Sequence, residues 1–222
     1  MTIRVVLAED QDLVRAGLRM ILEAEDDILV VGEARDGREA LRLSRELSPD
    51  VCLFDIRMPG LDGIEVTRRL HDGASAAAKL PAVVVVTTFD LDEYVFAALD
   101  AGARGFLLKD AGAAMLVQAV RAAAVGDALI APNITARLLA RFAKLRPREV
   151  ARPTDPLTER EEEILAAVAR GSTNQEIADG FHISASTVKT HIASLMSKLS
   201  ARNRVELARW AYETGRVPSV TR

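Results

Sequence analysis

The chain has 222 residues, 49% of them hydrophobic and 27% charged, with a formal net charge of −3; these are ordinary globular values, and the length suits one large domain or two small ones. No apolar stretch is long enough to span a bilayer, and Met1-Thr2-Ile3-Arg4 leads straight into a strand pattern with no signal-peptide layout, so the expected compartment is the cytoplasm. One cysteine, Cys52, excludes an intrachain disulfide or a cysteine-based metal site; inside an apolar run it reads as a small core residue.

In chain order, apolar runs alternate with helical patterns. Strands are predicted over 3–8, 28–34, 51–54, 82–87 and 104–108, and helices over 12–24, 37–47, 64–70, 91–101 and 111–125. Leu13, Gly17, Leu18, Ile21 and Leu22 mark the first helix; Leu41, Leu43 and Leu47 mark the second less cleanly. Five βα repeats imply right-handed crossovers and a five-stranded, doubly wound parallel α/β sheet covered on both faces. Gly126 and Pro132 interrupt the pattern, and one short helix is predicted near 133–143. Residues 144–156 hold three prolines and four basic residues and read as an extended, semi-rigid linker. The expected division is a domain over 1–127, a linker with one short helix over 128–156, and a small all-α domain over 157–216.

The second domain carries clear start and stop signals. Thr158-Glu159-Arg160-Glu161 has capping-box spacing ahead of Ile164, Leu165 and Val168, and Gly171 ends that helix. A short helix over 174–181 is followed by the turn His182-Ile183-Ser184, with Ser184 placed to cap the next helix. There Val188, Ile192, Leu195 and Leu199 form a narrow apolar stripe, with Lys189, Thr190, Ala193 and Ser197 on the other side. Helix, tight turn and a second helix with a small, polar-basic outer face suit entry into a DNA major groove, where bulky or acidic residues would prevent close approach.

Charge is uneven along the chain. Residues 1–150 hold 19 Lys+Arg against 23 Asp+Glu, whereas 182–222 hold seven basic residues against Glu206 and Glu213. A local patch of +5 suits a polyanion, although a solvated helical face has the same look.

The polar residues that close the predicted strands carry the chemistry. Glu9-Asp10 follows the first strand, Asp55 the third, Thr87-Thr88 closes the fourth, and Lys109 follows the fifth. In an open parallel sheet all of them lie at the carboxyl edge, where such folds place ligands. Three crowded carboxylates repel one another unless a hard, oxygen-preferring divalent cation, typically Mg²⁺, sits among them. A hydroxyl and an ammonium beside that cation could hold a phosphoryl group, which suggests phosphorylation of an aspartate. Each such carboxylate taken alone is an ordinary loop or cap residue; the joint pattern at four strand ends is what carries weight.

These motifs resemble a known family. Residues 1–125, with Glu9-Asp10, Asp55-Ile-Arg-Met-Pro-Gly-Leu-Asp-Gly, Thr87 and Lys109-Asp110, resemble the receiver domain of two-component response regulators. Residues 157–216, with Leu157-Thr-Glu-Arg-Glu, Asn174-Gln-Glu-Ile-Ala and Ser186-Thr-Val-Lys-Thr-His, resemble the LuxR-type helix-turn-helix; the pair in this order is similar to the NarL/FixJ family.

The resemblance implies a set of roles. Asp55 accepts a phosphoryl group from a histidine kinase. Asp10, Asp55 and the carbonyl of Arg57 bind Mg²⁺, with Glu9 acting mainly through water. Lys109 and Thr87 hold the phosphoryl oxygens, and Phe106 is the switch aromatic, although it also reads as plain strand core. Lys189, Thr190 and Ala193 face bases; Thr173, Thr187, Lys198, Arg202 and Arg204 grip phosphates. His191 could do either or be a surface histidine. The last helix, over 205–214, offers Leu207, Trp210 and Ala211 for dimerisation or simply for bundle core. The implied protein is a non-enzymatic, phosphorylation-dependent regulator that dimerises on promoter DNA and has no membrane partner.

Two departures stand out: Glu9 replaces the usual first aspartate, and Asp110-Ala111 replaces a lysine-proline step. Arg57 and Phe89 are both large at positions that govern water access in receivers, which implies a slowly decaying phosphoryl state. Two other classes remain to be weighed. One is a regulator whose output is protein binding. The other is an aspartate-based phosphohydrolase, which usually needs a second acid where Arg57 stands.

Overall fold

The computed structural model describes residues 2–72, 80–88, 92–127 and 155–216. The chain divides into two compact units, Met1–Ala131 and Pro132–Arg222. The short helix expected near 133–143, nearly all of the linker, and Phe89 lie outside the described residues.

In the first unit, β1 (Ile3–Ala8), β2 (Ile28–Ala34), β3 (Val51–Phe54), β4 (Ala82–Thr87) and β5 (Gly105–Leu108) form one sheet in the order β2-β1-β3-β4-β5. Every neighbouring pair is parallel. The connecting helices are α1 (Asp12–Glu23), α2 (Gly37–Leu47), α3 (Gly63–His71), α4 (Asp92–Asp100) and α5 (Ala113–Ala124). Helices α1 and α5 pack together on one face; α2 meets α3, and α3 meets α4.

The inner strands β3 and β4 are buried on both faces and read as continuous apolar runs, up to Thr87 at the end of β4, whereas the edge strand β2 carries Glu33 and leaves Leu29 exposed. Val5, Leu7, Leu53, Val84, Val86 and Leu107 pack with Leu22 of α1 and Leu116, Val117 and Val120 of α5. The intervening residues point to the other face, as the two-residue strand period requires: Cys52 Sγ there lies 3.3 Å from Ser44 Oγ on α2. Burial pushes the Cys52 thiol up to about 12, which leaves it an inert core group. Strand order reverses between β1 and β3, whose crossovers leave toward opposite faces, and this opens a crevice at their carboxyl ends.

The second unit contains four described helices: α6 (Glu159–Ala169), α7 (Asn174–Phe181), α8 (Ala185–Lys198) and α9 (Arg204–Glu213). Both α6 and α7 begin with a reciprocal capping box, Thr158 with Glu161 and Thr173 with Glu176. Ser184 caps α8 by accepting the Thr187 amide at 3.1 Å. Ile164, Leu165, Ile177, Val188, Ile192, Leu195, Leu207 and Ala211 form the core, with Trp210 packed against it half-buried. The left-handed His182 (φ 54°) makes the tight turn between α7 and α8.

Candidate functional sites

The parallel ladder delivers four strand ends to one place. The Asp55 amide donates to the Ala8 carbonyl at 2.9 Å, the Glu9 amide to the Ala34 carbonyl at 3.1 Å, and the Lys109 amide to the Thr87 carbonyl at 2.9 Å. Carboxylate oxygens of Glu9, Asp10 and Asp55 consequently lie within 4.8 Å of one another. Glu9 is 1% exposed and Asp55 6%, while Asp10 is exposed. Lys109 Nζ sits between the two buried acids, 2.6 Å from Glu9 Oε2 and 2.9 Å from Asp55 Oδ2.

The electrostatics of this cluster are incomplete. Three carboxylates against one ammonium leave two negative charges uncompensated. Burial pushes the Glu9 carboxyl above its ordinary range; the Asp55 charge adds to that rise and Lys109 opposes it. For Lys109 burial acts downward, but its close contacts with the Glu9 and Asp55 carboxylates outweigh it and raise its pKa. Glu9 Oε1 accepts from the Gln11 amide at 3.3 Å, whereas the buried Oε2 has the Lys109 ion pair and no directed hydrogen bond. Clustered carboxylate oxygens, a net charge of minus two and an under-satisfied buried oxygen fit a hard divalent cation such as Mg²⁺.

The other expected site residues are placed as follows. Thr87 is fully buried at the end of β4, and Phe106 is fully buried on β5. Val85 pairs with Phe106 and Thr87 with Leu108, so the Phe106 ring and the Thr87 side chain leave the same face of the sheet. Arg57 is exposed in the loop after Asp55.

Two residues given no role from the sequence support the site. Gly63 opens α3 so close to Asp55 that a Cβ there would lie 2.1 Å from the Asp55 carbonyl oxygen. Arg15, buried on α1, donates to the Glu9 carbonyl at 2.8 Å. Gly63 closes the Asp55-to-Gly63 run that carries the receiver resemblance, but no role follows for it there; Asp62 before it caps α3 by accepting the Glu65 amide at 2.7 Å. For Arg15 there is no sequence signal.

In the second unit the outer face of α8 is open. Ser186, Lys189, Thr190, Ala193 and Ser197 are exposed, while Val188, Ile192 and Leu195 are buried beneath them. His191 is half-buried. Thr173 is exposed at the start of α7, with its hydroxyl in the capping box, and the Thr187 hydroxyl lies 2.8 Å from Ser184 Oγ. Arg202 is exposed.

Lys198 and Arg204, expected to grip phosphates, each have partners within the domain. Lys198 Nζ lies 2.9 Å from Glu161 Oε2, 3.4 Å from Asp155 Oδ2 and 3.2 Å from the Pro156 carbonyl. Arg204 donates to Asn174 Oδ1 at 2.7 Å and to the Ser172 carbonyl. Glu161 and Asn174 are both buried, and buried polar groups require such partners; Lys198 serves the Glu161 carboxylate and Arg204 the Asn174 side-chain oxygen.

Comparison with known proteins gives matches to both units. Residues 5–121 match the response regulator receiver domain, and residues 155–211 match bacterial regulatory proteins of the luxR family. The chain is 42% identical over 210 residues to the transcriptional regulatory protein LiaR of Bacillus subtilis (strain 168), covering 95% of this chain and 97% of that one. It is similar to the crystal structure of the response regulator ChrA of a heme-sensing two-component system, with 40% identity, a TM-score of 0.51, and 97% and 99% of the two chains covered. A structure of two RcsB dimers bound to two parallel DNAs matches with 26% identity and a TM-score of 0.55, covering 96% of this chain and 99% of that one. Among the described residues no helix is long and apolar enough to cross a membrane.

Proposed function

The chain belongs to the NarL/FixJ family of two-component response regulators, a receiver domain followed by a LuxR-type DNA-binding domain, and from that premise we propose that phosphorylation of Asp55 switches its binding to promoter DNA. The receiver is assigned to 1–127, the linker to 128–156 and the output domain to 157–216. The observation that carries the reading is the under-neutralised cluster of buried Glu9 and Asp55 with exposed Asp10, around Lys109 at the β1/β3 edge.

The donor is a phosphohistidine on a sensor kinase. An Asp55 carboxylate oxygen attacks phosphorus in line; the O–P bond forms as the P–N bond breaks, and the imidazole leaves with the bonding pair. Lys109, already 2.9 Å from Asp55, is placed to turn to the transferring oxygens. Asp10, Asp55 and the Arg57 carbonyl would hold Mg²⁺, with Glu9 acting mainly through water, and the ion would supply neutralisation of the charge on the transferring group. The Thr87 hydroxyl is drawn to the phosphoryl group, and Phe106, fully buried on the same face, repacks in the space that movement leaves. The changed surface over α4 and β5 favours a homodimer.

On DNA, the exposed face of α8 enters the major groove. Lys189 donates to guanine, Thr190 meets a thymine methyl and Ala193 allows close approach. Thr173, Thr187 and Arg202 contact phosphates and orient the domain. Two such domains related by a two-fold axis read paired half-sites.

A gel shift with DNA from upstream of the chain's own coding region tests the reading. Wild type and Asp55→Asn are compared with and without a small phosphodonor plus Mg²⁺. The expected result is a discrete dimer complex that the phosphodonor tightens only when Asp55 is present. Strong binding indifferent to phosphodonor and to Asp55 removes the switch and keeps the DNA module. Absence of any complex favours a protein-binding output.

A further inference from the structure

We propose that Arg15 is a positioning residue for the acidic cluster, acting through the peptide that joins Glu9 to Asp10; this rests on the phosphoacceptor reading above. Its side chain is only 8% exposed and its guanidinium meets three elements. Nη1 donates to the Glu9 carbonyl at 2.8 Å, Nη2 pairs with Asp12 at the start of α1, and Nε lies 3.5 Å from Glu33 Oε2 on β2.

Burying a guanidinium is costly unless its donors are matched. A leucine would pack α1 on the sheet without that cost, so simple packing does not explain an arginine here. What a leucine lacks is a grip on the Glu9 carbonyl. That oxygen belongs to the planar peptide between Glu9 and Asp10. Fixing it fixes the tilt of the plane, and with it the directions in which both carboxylates leave the backbone.

The turn needs such a tie. Asp36 caps α2 and Asp62 caps α3 with their side chains, but Gln11 gives α1 no side-chain cap. Beside this uncapped start, three carboxylates are held within 4.8 Å and repel one another. Asp10 is the exposed member, and a loosened turn relieves the repulsion by letting it swing into solvent. Mg²⁺ must then reorder the turn before it binds.

The test is calorimetric titration of the unphosphorylated full chain with Mg²⁺ alone, comparing wild type with Arg15→Gln, Arg15→Lys and Asp10→Asn. Arg15→Gln is expected to weaken Mg²⁺ by about 10–100-fold, the range for a partner behind a metal ligand. Arg15→Lys, which keeps the charge but not the forked donors, falls between. The rise in melting temperature produced by Mg²⁺ shrinks in parallel.

A merely structural arginine gives a different pattern: the metal-free melting temperature falls and the Mg²⁺ affinity of Arg15→Lys stays at the wild-type value, which overturns the assignment. If Asp10→Asn loses Mg²⁺ while both Arg15 variants keep wild-type affinity, the phosphoacceptor reading stands and the positioning role falls. If Asp10→Asn binds like wild type, both fall. Should Arg15→Gln fail to fold, Arg15→Lys carries the same comparison, with weakening of about 10-fold expected.

Discussion

Each unit sets a buried carboxylate 2.9 Å from a lysine ammonium, Asp55 with Lys109 and Glu161 with Lys198, yet the two pairs do opposite work. Glu161 is saturated: it accepts from the Thr158 amide at 2.8 Å, the Thr158 hydroxyl at 3.1 Å, Ser194 Oγ at 2.7 Å and Lys198 at 2.9 Å. Burial acts to raise its pKa, but these donors together win and hold it at about 2. At the receiver edge three carboxylates share a single ammonium, and Glu9 is pushed upward instead. A satisfied pair fastens α6 to α8 and leaves the outer face of α8 to its partner. Under the proposed function, the unsatisfied cluster is the one that a cation and a phosphoryl group would complete. Completeness of partnering, rather than burial or residue type, separates scaffold from switch here.

The largest effect that tests this difference is on Glu161. Glu161→Ala is expected to destabilise the output domain by about 2–3 kcal/mol, above the loss of an exposed cap and below that of a fully desolvated ion pair. The chain's one tryptophan, Trp210, packs in this unit, so its fluorescence during urea unfolding reports the output domain. Because the folded pKa lies below the unfolded one, the contribution of Glu161 is complete above about pH 4.5 and is lost as pH falls toward about 2. A Trp210 transition unmoved by the substitution breaks the contrast.

A smaller effect separates the exposed α8 face from the internal lysine. Lys189→Ala is expected to cost ~1–3 kcal/mol of discrimination at one base pair, seen as relaxed preference in binding to a set of single-base operator variants. Arg202→Ala should weaken all sequences alike and reduce the salt slope of binding by about 1. Lys198→Gln, whose ammonium is neutralised by Glu161, is expected to leave that slope unchanged in the folded domain. Equal salt effects of Arg202 and Lys198 would place both on phosphates.

The frame of both sites is legible in the sequence because each functional residue follows a continuous apolar run or an exposed helical period. Four of the five strands begin and end where those runs do; β5 starts one residue late, at Gly105. Helix α5 begins at Ala113 rather than 111 because Gly112, at φ 84°, holds the preceding turn outside helical space. Contacts made by tertiary approach left no such trace. Capping-box spacing identifies Glu161 as a partner of Thr158, but Ser194 and Lys198 reach it from 33 and 37 residues away. The contact of Arg204 with Asn174 is hidden for the same reason, with 30 residues between them. Basic residues in the tail all look alike until the buried acceptors they serve are known.

The smallest effect is also the one whose sign is most telling. Glu9→Gln removes one of three crowded charges while keeping an oxygen that can accept from Lys109. In a saturated pair such a change destabilises. Here it is expected to stabilise the metal-free receiver by about 0.5–1 kcal/mol, discounted for the solvent that reaches the open side of the cluster. Because the folded pKa of Glu9 is raised, the wild-type receiver loses stability as pH climbs from about 4.5 through that higher value. The advantage of Glu9→Gln should therefore be absent in acid and grow across that window. Saturating Mg²⁺ should reverse the order, since the wild type then gains a charge partner that the amide cannot match. Calorimetric melting at two pH values, with and without Mg²⁺, measures all four corners. Destabilisation of the metal-free protein by Glu9→Gln would mean that the Lys109 ion pair already satisfies Glu9, and the distinction between the two lysine pairs would be lost.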